Sequence, residues 1–265
     1  TSTVYIYTNI TSGFSGAITF TTQTFTPPNG IRAMATEDLD GDGKSDLVLA
    51  YSDSRVYIYR NTTGGSISFT DTGVVLQTDN VSGNVDPWSV ALGDLDADGR
   101  PDIVTVGGSN SSNTYLFRNT SISGTINFAG GQVLAGHGGT MFTVVLGDMD
   151  RDGKVDIVVA SGHSVNPVAI FRNTTTGPGS ITFAPFVTYV GPGGTYSAAL
   201  GDFNNDNKLD IAYVLGGTTV TVLLNQATSG TINASSFTSP FSFEVQSDTK
   251  GVAIGDVTGD GKPDM

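Results

Sequence analysis

Hydrophobic positions fall into short runs that recur in a fixed order along this chain. One run ends in a small residue: Trp88-Ser-Val-Ala-Leu-Gly93, Phe142-Thr-Val-Val-Leu-Gly147, Tyr196-Ser-Ala-Ala-Leu-Gly201 and Lys250-Gly-Val-Ala-Ile-Gly255, with Arg32-Ala-Met-Ala-Thr-Glu37 the most divergent copy. A second run is wholly apolar or nearly so: Leu47 to Ala50, Ile103 to Val106, Ile157 to Ala160, Ile211 to Val214. A third ends in Asn: Val4 to Asn9, Val56 to Asn61, Thr114 to Asn119, Val168 to Asn173, Val220 to Asn225. After a turn comes Gly-x-Ile-x-Phe, at Gly16 to Phe20, Gly65 to Phe69, Gly124 to Phe128 and Gly179 to Phe183; the copy at Gly230 to Ala234 lacks the Phe. A fourth strand is expected there or just beyond. No stretch has the period of an amphipathic helix. Near-continuous apolar runs suit strands packed on both faces, whereas a sandwich would alternate. Four short strands in about 54 residues suit a propeller blade. The pattern predicts an all-β fold, a β-propeller of about five four-stranded blades. It forms one domain over 1–265, in units near 1–51, 52–107, 108–161, 162–214 and 215–265.

Between the first and second runs lies an acidic nine-residue loop, present five times. Its oxygen-bearing positions are Asp38, Asp40, Asp42 and Asp46; Asp94, Asp96, Asp98 and Asp102; Asp148, Asp150, Asp152 and Asp156; Asp202, Asn204, Asp206 and Asp210; and Asp256, Thr258, Asp260 and Asp264. Position 7 adds a backbone carbonyl from Lys44, Arg100, Lys154, Lys208 and Lys262. The first Asp recurs after 56, 54, 54 and 54 residues, so each repeat is one supersecondary unit. Oxygens at positions 1, 3, 5, 7 and 9 can surround one hard cation, and calcium takes six to eight of them. Gly at position 6 permits positive φ, and Asn207, the exception, tolerates it. An EF-hand is excluded: position 12 is Leu49, Thr105, Val159 or Tyr213 rather than Glu, and the flanks are strands. Up to five structural Ca²⁺ ions are expected.

Charge agrees with this reading. The loops hold 18 of the 25 acidic residues, and five Ca²⁺ would bring the net charge of −13 to about −3. Without metal, carboxylates about 4 Å apart repel by roughly 4 kcal/mol per pair at an effective dielectric near 20. Twelve Lys and Arg, spread singly, make a poor nucleic-acid or anionic-membrane binder. No apolar run approaches the ~18–20 residues of a helical span, so membrane insertion is not expected. With no Cys there are no disulfides. Calcium loops argue for an extracellular setting or a cell surface, where calcium is plentiful. The chain opens inside a strand pattern rather than a signal peptide, and is read as a mature or trimmed form.

The units resemble FG-GAP/VCBS repeats, the family of integrin α-subunit heads and many bacterial surface proteins. The motif Gly-Asp-x-Asp-x-Asp-Gly-x-x-Asp-Ile-Val stands whole at Gly93 to Val104 and Gly147 to Val158. The resemblance implies that the loop joins the first and second strands of a blade and that its calcium is structural. It also implies a binding, adhesion or surface-assembly role without catalysis. Asn204, Asn207 and Thr258 depart from the motif and are expected to weaken the fourth and fifth sites. Members commonly have seven blades. This chain begins on a third strand and stops one residue into a second. One blade is therefore expected to span both termini, completed by further chain or by a neighbouring molecule, which would build a fibre.

Other candidates are fewer. Six positions before each loop stand Arg32, Trp88, Phe142, Tyr196 and Lys250, which in a propeller ring one end of the axis. Trp88, Phe142 and Tyr196 are candidate contacts for a sugar or an extended peptide, against the plainer reading of a channel rim. The expected partners are protein or carbohydrate at a cell surface. His137 and His163 lie in Gly/Ser-rich connections with no nucleophile set placed beside them. A polysaccharide- or phosphoester-acting enzyme would need an acid/base pair among Glu37, Asp53, Asp71, Asp79, Asp86, Glu244 and Asp248, which form no recognisable motif. Sequons at Asn9, Asn61, Asn80, Asn110, Asn119, Asn173 and Asn233 are candidate glycan acceptors. Four share the third-strand end, yet the equivalent Asn225-Gln-Ala keeps Asn without the sequon, which points to a turn role.

Overall fold

The computed structural model describes residues 3–10, 18–28, 30–64, 67–78, 86–108, 113–134, 136, 138–191, 193–215 and 217–265. Gly16, Gly65, Asp79, Asn80, Asn110 and His137 lie outside them. Among the described residues the chain forms strands and turns and no helix. An antiparallel pair, β1 (Val4–Asn9) and β2 (Phe20–Phe25), comes first. Four four-stranded antiparallel sheets follow, each a meander in which every strand pairs with the next. They are β3 (Ile31–Glu37), β4 (Asp46–Tyr51), β5 (Arg55–Asn61) and β6 (Phe69–Gln77); then β7 (Pro87–Gly93), β8 (Asp102–Gly107), β9 (Thr114–Phe117) and β10 (Gln132–Leu134). The third is β11 (Met141–Gly147), β12 (Asp156–Ser161), β13 (Val168–Phe171) and β14 (Val187–Tyr189). The last is β15 (Thr195–Gly201), β16 (Asp210–Leu215), β17 (Gly217–Leu223) and β18 (Phe241–Thr249).

Successive sheets stack face to face, and this explains the unbroken apolar runs. In β4, Leu47, Leu49 and Tyr51 pack with Phe25 of β2, while Val48 and Ala50 pack with Ile103 and Tyr115 of the next sheet. In β8, Val104 and Val106 face Ile157 and Val159. In β12, Val158 and Ala160 face Ile211 and Tyr213. All of β4, β8 and β12 is buried, so both faces of each second strand are core. Truncating one such residue, as in Ile157→Ala, costs about 2–5 kcal/mol.

The first strands β3, β7, β11 and β15 lie next to one another in chain order. Their terminal small residue is a packing requirement. A Cβ on Gly93 would stand 3.0 Å from Leu146, one on Gly147 would stand 2.8 Å from Leu200, and one on Gly201 would stand 3.0 Å from Ile254. Each collision is with the strand-end apolar residue of the next repeat.

Two differences from the sequence pattern have physical reasons. The segment Lys250 to Gly255 is not a strand; its one bridge joins Gly255 to Asp264, because only Met265 follows where the partner strand would run. It rests on the last sheet through Ile254 and through Val252, whose N–H donates to Ser197 Oγ at 3.3 Å. No blade spanning both termini forms among the described residues, since β1 and β2 pair with each other in a sheet of their own. As expected, the fourth strand lies at the repeat Phe or just beyond it, starting at that Phe in β2 and β6 and four residues after it in the other three sheets. There the Phe makes an isolated bridge instead: Phe128 to Asn119, Phe183 to Asn173 and Phe237 to Asn225. Phe237 fills the place that the sequence pattern left empty at Ala234.

Candidate metal loops and an aromatic row

Each of the first four acidic loops joins the first and second strands of its sheet, and the carboxylates of all five fold them. Position 1 gathers backbone N–H groups: Asp38 Oδ1 accepts from Gly41 at 2.8 Å and Asp42 at 3.1 Å, and its Oδ2 accepts from Gly43 at 2.7 Å. Asp94, Asp148, Asp202 and Asp256 do the same for their loops. Position 9 ties the loop to the sheet. Asp102, fully buried, accepts from Leu95 N–H at 2.9 Å and Asn119 N–H at 2.8 Å; Asp46, Asp156 and Asp210 repeat this. Asp264 accepts from Val257 and Thr258 instead. Positive φ occurs at position 6 and also at position 4, where Ala97, Arg151 and Asn205 stand beside Gly41 and Gly259.

The arrangement fits a hard cation. Asp38, Asp40 and Asp42 each bring a carboxylate oxygen within 4.8 Å of the others; so do Asp94, Asp96 and Asp102, and Asp148, Asp150 and Asp156. Asp96 Oδ1 and Asp150 Oδ2 are buried without a hydrogen-bond partner, a costly state that a cation would relieve. Burial pushes the Asp102 and Asp156 carboxyls up to about 7, against the pull of the N–H groups they accept. Burial also raises Asp46, Asp150 and Asp210. All-oxygen donors select calcium or magnesium over softer metals. Among the described residues the fourth and fifth loops form no such trio. Asn204 and Asp206 are exposed, with Asn204 Nδ2 donating to Asp206 Oδ2 at 3.2 Å, and Asp256, Thr258 and Asp260 are exposed too.

At the opposite ends of the first strands the ladder is broken at the same place in every four-stranded sheet. Pairing skips from Ile31 to Ala33, Pro87 to Ser89, Met141 to Thr143 and Thr195 to Ser197. The skipped residues are Arg32, Trp88, Phe142 and Tyr196. A bulge leaves one residue unpaired and re-aims its side chain. Here the re-aimed side chains, with Lys250, form one continuous row. Arg32 lies over the Trp88 ring at 5.3 Å, Trp88 meets Phe142 edge-on at 5.4 Å, Phe142 meets Tyr196 at 4.9 Å, and Lys250 Nζ lies over Tyr196 at 4.6 Å. Trp88 and Tyr196 remain 39% and 41% exposed. Arg32 is held by Asp86 through Nε at 3.2 Å and a terminal nitrogen at 2.8 Å. His163 Nδ1 accepts from Val165 and Asn166 N–H.

A family model described as FG-GAP-like repeat matches residues 38–105, 95–159, 148–213 and 202–265. The chain belongs to the FG-GAP-like repeat family. No curated protein matches it significantly. Among solved structures it is similar to Chaetomium thermophilum Polycomb Repressive Complex 2 bound to GSK126, with 12% identity and a TM-score of 0.51 over 79% of this chain and 44% of that one. It is similar to Sqt1 from the same organism, with 13% identity and a TM-score of 0.51 over 88% and 52%. Sqt1 bound to the N-terminus of the ribosomal protein L10 gives 14% identity and a TM-score of 0.51 over 87% and 55%. The FG-GAP chain spans about half the length of these solved chains, and the likeness identifies the fold, a β-propeller.

The FG-GAP repeats also contain a clamp that sequence reasoning missed. Asn119 Nδ2 donates to Pro101 O in its own loop and to Leu39 O in the preceding loop, both at 2.9 Å. Asn173 reaches Val155 O and Leu95 O, and Asn225 reaches Leu209 O and Met149 O, at 2.7–2.9 Å. The third-strand Asn therefore ties each of the first three acidic loops to the next sheet. Asn119 and Asn173 are fully buried with both amide hydrogens donated. Asn61, half-buried, donates its Nδ2 to Ser45 O at 2.9 Å, and Asn9 is exposed.

Proposed function

We propose that this chain is a calcium-stabilised propeller that binds a partner protein at an extracellular or cell surface. Its grip is the row Arg32, Trp88, Phe142, Tyr196 and Lys250. The observation that carries this reading is the bulge repeated in four sheets, which takes Arg32, Trp88, Phe142 and Tyr196 out of the ladder and lines them up, with Lys250 at the end of the row. Aromatic and Arg side chains are the usual anchors of protein interfaces. The row is long and narrow, which suits an extended segment, and cations at both ends suit one bearing acidic groups. The likeness to Sqt1 bound to the N-terminus of the ribosomal protein L10 is in keeping with a peptide segment as ligand. A glycan is the second reading, favoured by the exposed faces of Trp88 and Tyr196. Binding rather than catalysis is the reading we favour because three of the seven acids outside the loops are engaged locally: Asp86 with Arg32, Asp53 with Arg55 and Tyr57, Asp71 with Gly73 N–H.

Calcium in this reading is structural. The carboxylates of positions 1, 3, 5 and 9 would hold it, and it would supply the positive charge that lets buried, mutually repelling groups stay ionised. The test of ligand binding is direct, because Trp88 is the sole Trp. Its fluorescence should shift saturably on titration with acidic peptides, and Tyr196→Ala should weaken that binding at least tenfold. A shift with oligosaccharides alone would select the glycan reading. No shift with either class would refute the row as a binding site.

A further inference from the structure

The residue before Asn61, Asn119 and Asn173 is an arginine whose charge the loops use. Arg60 Nε donates to Asp40 Oδ2 at 2.5 Å and its terminal nitrogen to Asp42 Oδ2 at 2.6 Å. Arg118 stands 3.7 Å from both Asp96 and Asp98, and Arg172 stands 3.9 Å from Asp150 and 3.7 Å from Asp152. Each arginine thus spans the carboxylates of positions 3 and 5 of its own loop. In the fourth sheet the equivalent residue is Leu224, and there position 3 is Asn204. The cation and one carboxylate are absent together. Setting aside the Lys or Arg that all four loops carry at position 7, each loop presents three uncompensated negative charges: four acids and an arginine in the first three, three acids and a leucine in the fourth.

We infer that Arg60, Arg118 and Arg172 are resident counter-cations of the metal loops. Each shields positions 3 and 5 when no metal is present and opposes a divalent cation that approaches them. The arginine therefore sets both the stability of the metal-free fold and the strength of its loop for calcium. This rests on the calcium reading proposed above. It makes the first three loops no stronger than their extra acid would suggest, because the arginine offsets it.

The test is a set of leucine variants, since leucine is what the fourth repeat carries. Arg172→Leu and the triple variant R60L/R118L/R172L are compared with wild type in two assays. Thermal melts in EDTA should show a midpoint several degrees lower for the triple variant. Calcium titration by calorimetry should show about tenfold tighter binding at the altered sites, the water-screened effect of removing a unit charge a few ångströms from a divalent ion. Arg172→Lys, which keeps the charge, should bind calcium as wild type does; if the triple variant does not fold, the single variants give the same comparison. Weaker calcium binding by the leucine variants, or an unchanged EDTA midpoint, would overturn the inference while leaving wild-type calcium binding intact. Wild type and variants alike insensitive to calcium would overturn the calcium reading, and this inference with it.

Discussion

Removing the clamp at Asn173 should loosen the stack of sheets. Asn173→Ala deletes three hydrogen bonds: Nδ2 to Leu95 O at 2.8 Å, Nδ2 to Val155 O at 2.9 Å, and Thr175 N–H to Oδ1 at 2.9 Å. The site is fully buried, so water does not replace them. At about 1 kcal/mol net per bond, plus the cost of stranding buried partners, the loss is about 3–5 kcal/mol. For a domain of this size that lowers the melting midpoint by roughly 6–15 °C. Asn61→Ala is the control. Asn61 is half-buried, bonds Ser45 O and Thr63 N–H within its own sheet, and reaches no neighbour, so about 1–2 kcal/mol is expected. Chemical denaturation of the two variants at fixed calcium measures the difference. Equal losses would refute the claim that the bond across the sheet boundary carries the extra stability.

Further outcomes follow from the loops and the sheet contacts. Ala97→Gly and Arg151→Gly should each stabilise the fold by about 0.5–1 kcal/mol, because both residues sit at positive φ (58° and 57°); destabilisation in denaturant melts would contradict this. Gly147→Ala should cost about 1–3 kcal/mol, since its Cβ would lie 2.7 Å from Leu209 and 2.8 Å from Leu200; a neutral result would mean the sheets can separate freely there. Asp102 and Asp156 titrate near 7 when folded against an ordinary 3.8, so the metal-free fold holds extra protons between those values. Its stability should therefore fall as pH rises from about 4 to about 7, and the stabilisation given by calcium should grow over the same range. Melts in EDTA at about pH 5 and about pH 8 check this, and a higher midpoint at the alkaline end would contradict it.

Strand positions were legible because both faces of each second strand are core, so Leu47 to Ala50 and its equivalents read as unbroken apolar runs. The acidic loops were legible because their chemistry depends on local spacing alone. What depended on neighbours was hidden. Asn119, Asn173 and Asn225 look like turn residues, since the sequence does not say that the carbonyls of Leu39, Leu95 and Met149 lie within reach. Arg60, Arg118 and Arg172 sit at or just past the end of a third strand, about twenty residues after the carboxylates they face. A repeated Arg-Asn pair missing its Arg only where the loop loses an acid was the available signal. The row from Arg32 to Lys250 was expected from equivalence of position, but the bulges that turn its side chains out of the ladder have no sequence mark. The strand expected at Lys250 to Gly255 failed because a strand needs a partner, whatever its own composition.

The central claim is that calcium in the acidic loops holds this propeller together. The measurement that meets it most directly is a pair of thermal melts of the same 265-residue chain, one in EDTA and one in about 1 mM calcium. At about a hundred times a site constant near 10 μM, each filled site adds about 2.7 kcal/mol, so the calcium midpoint should stand well above the EDTA one. Coincident midpoints would contradict the account.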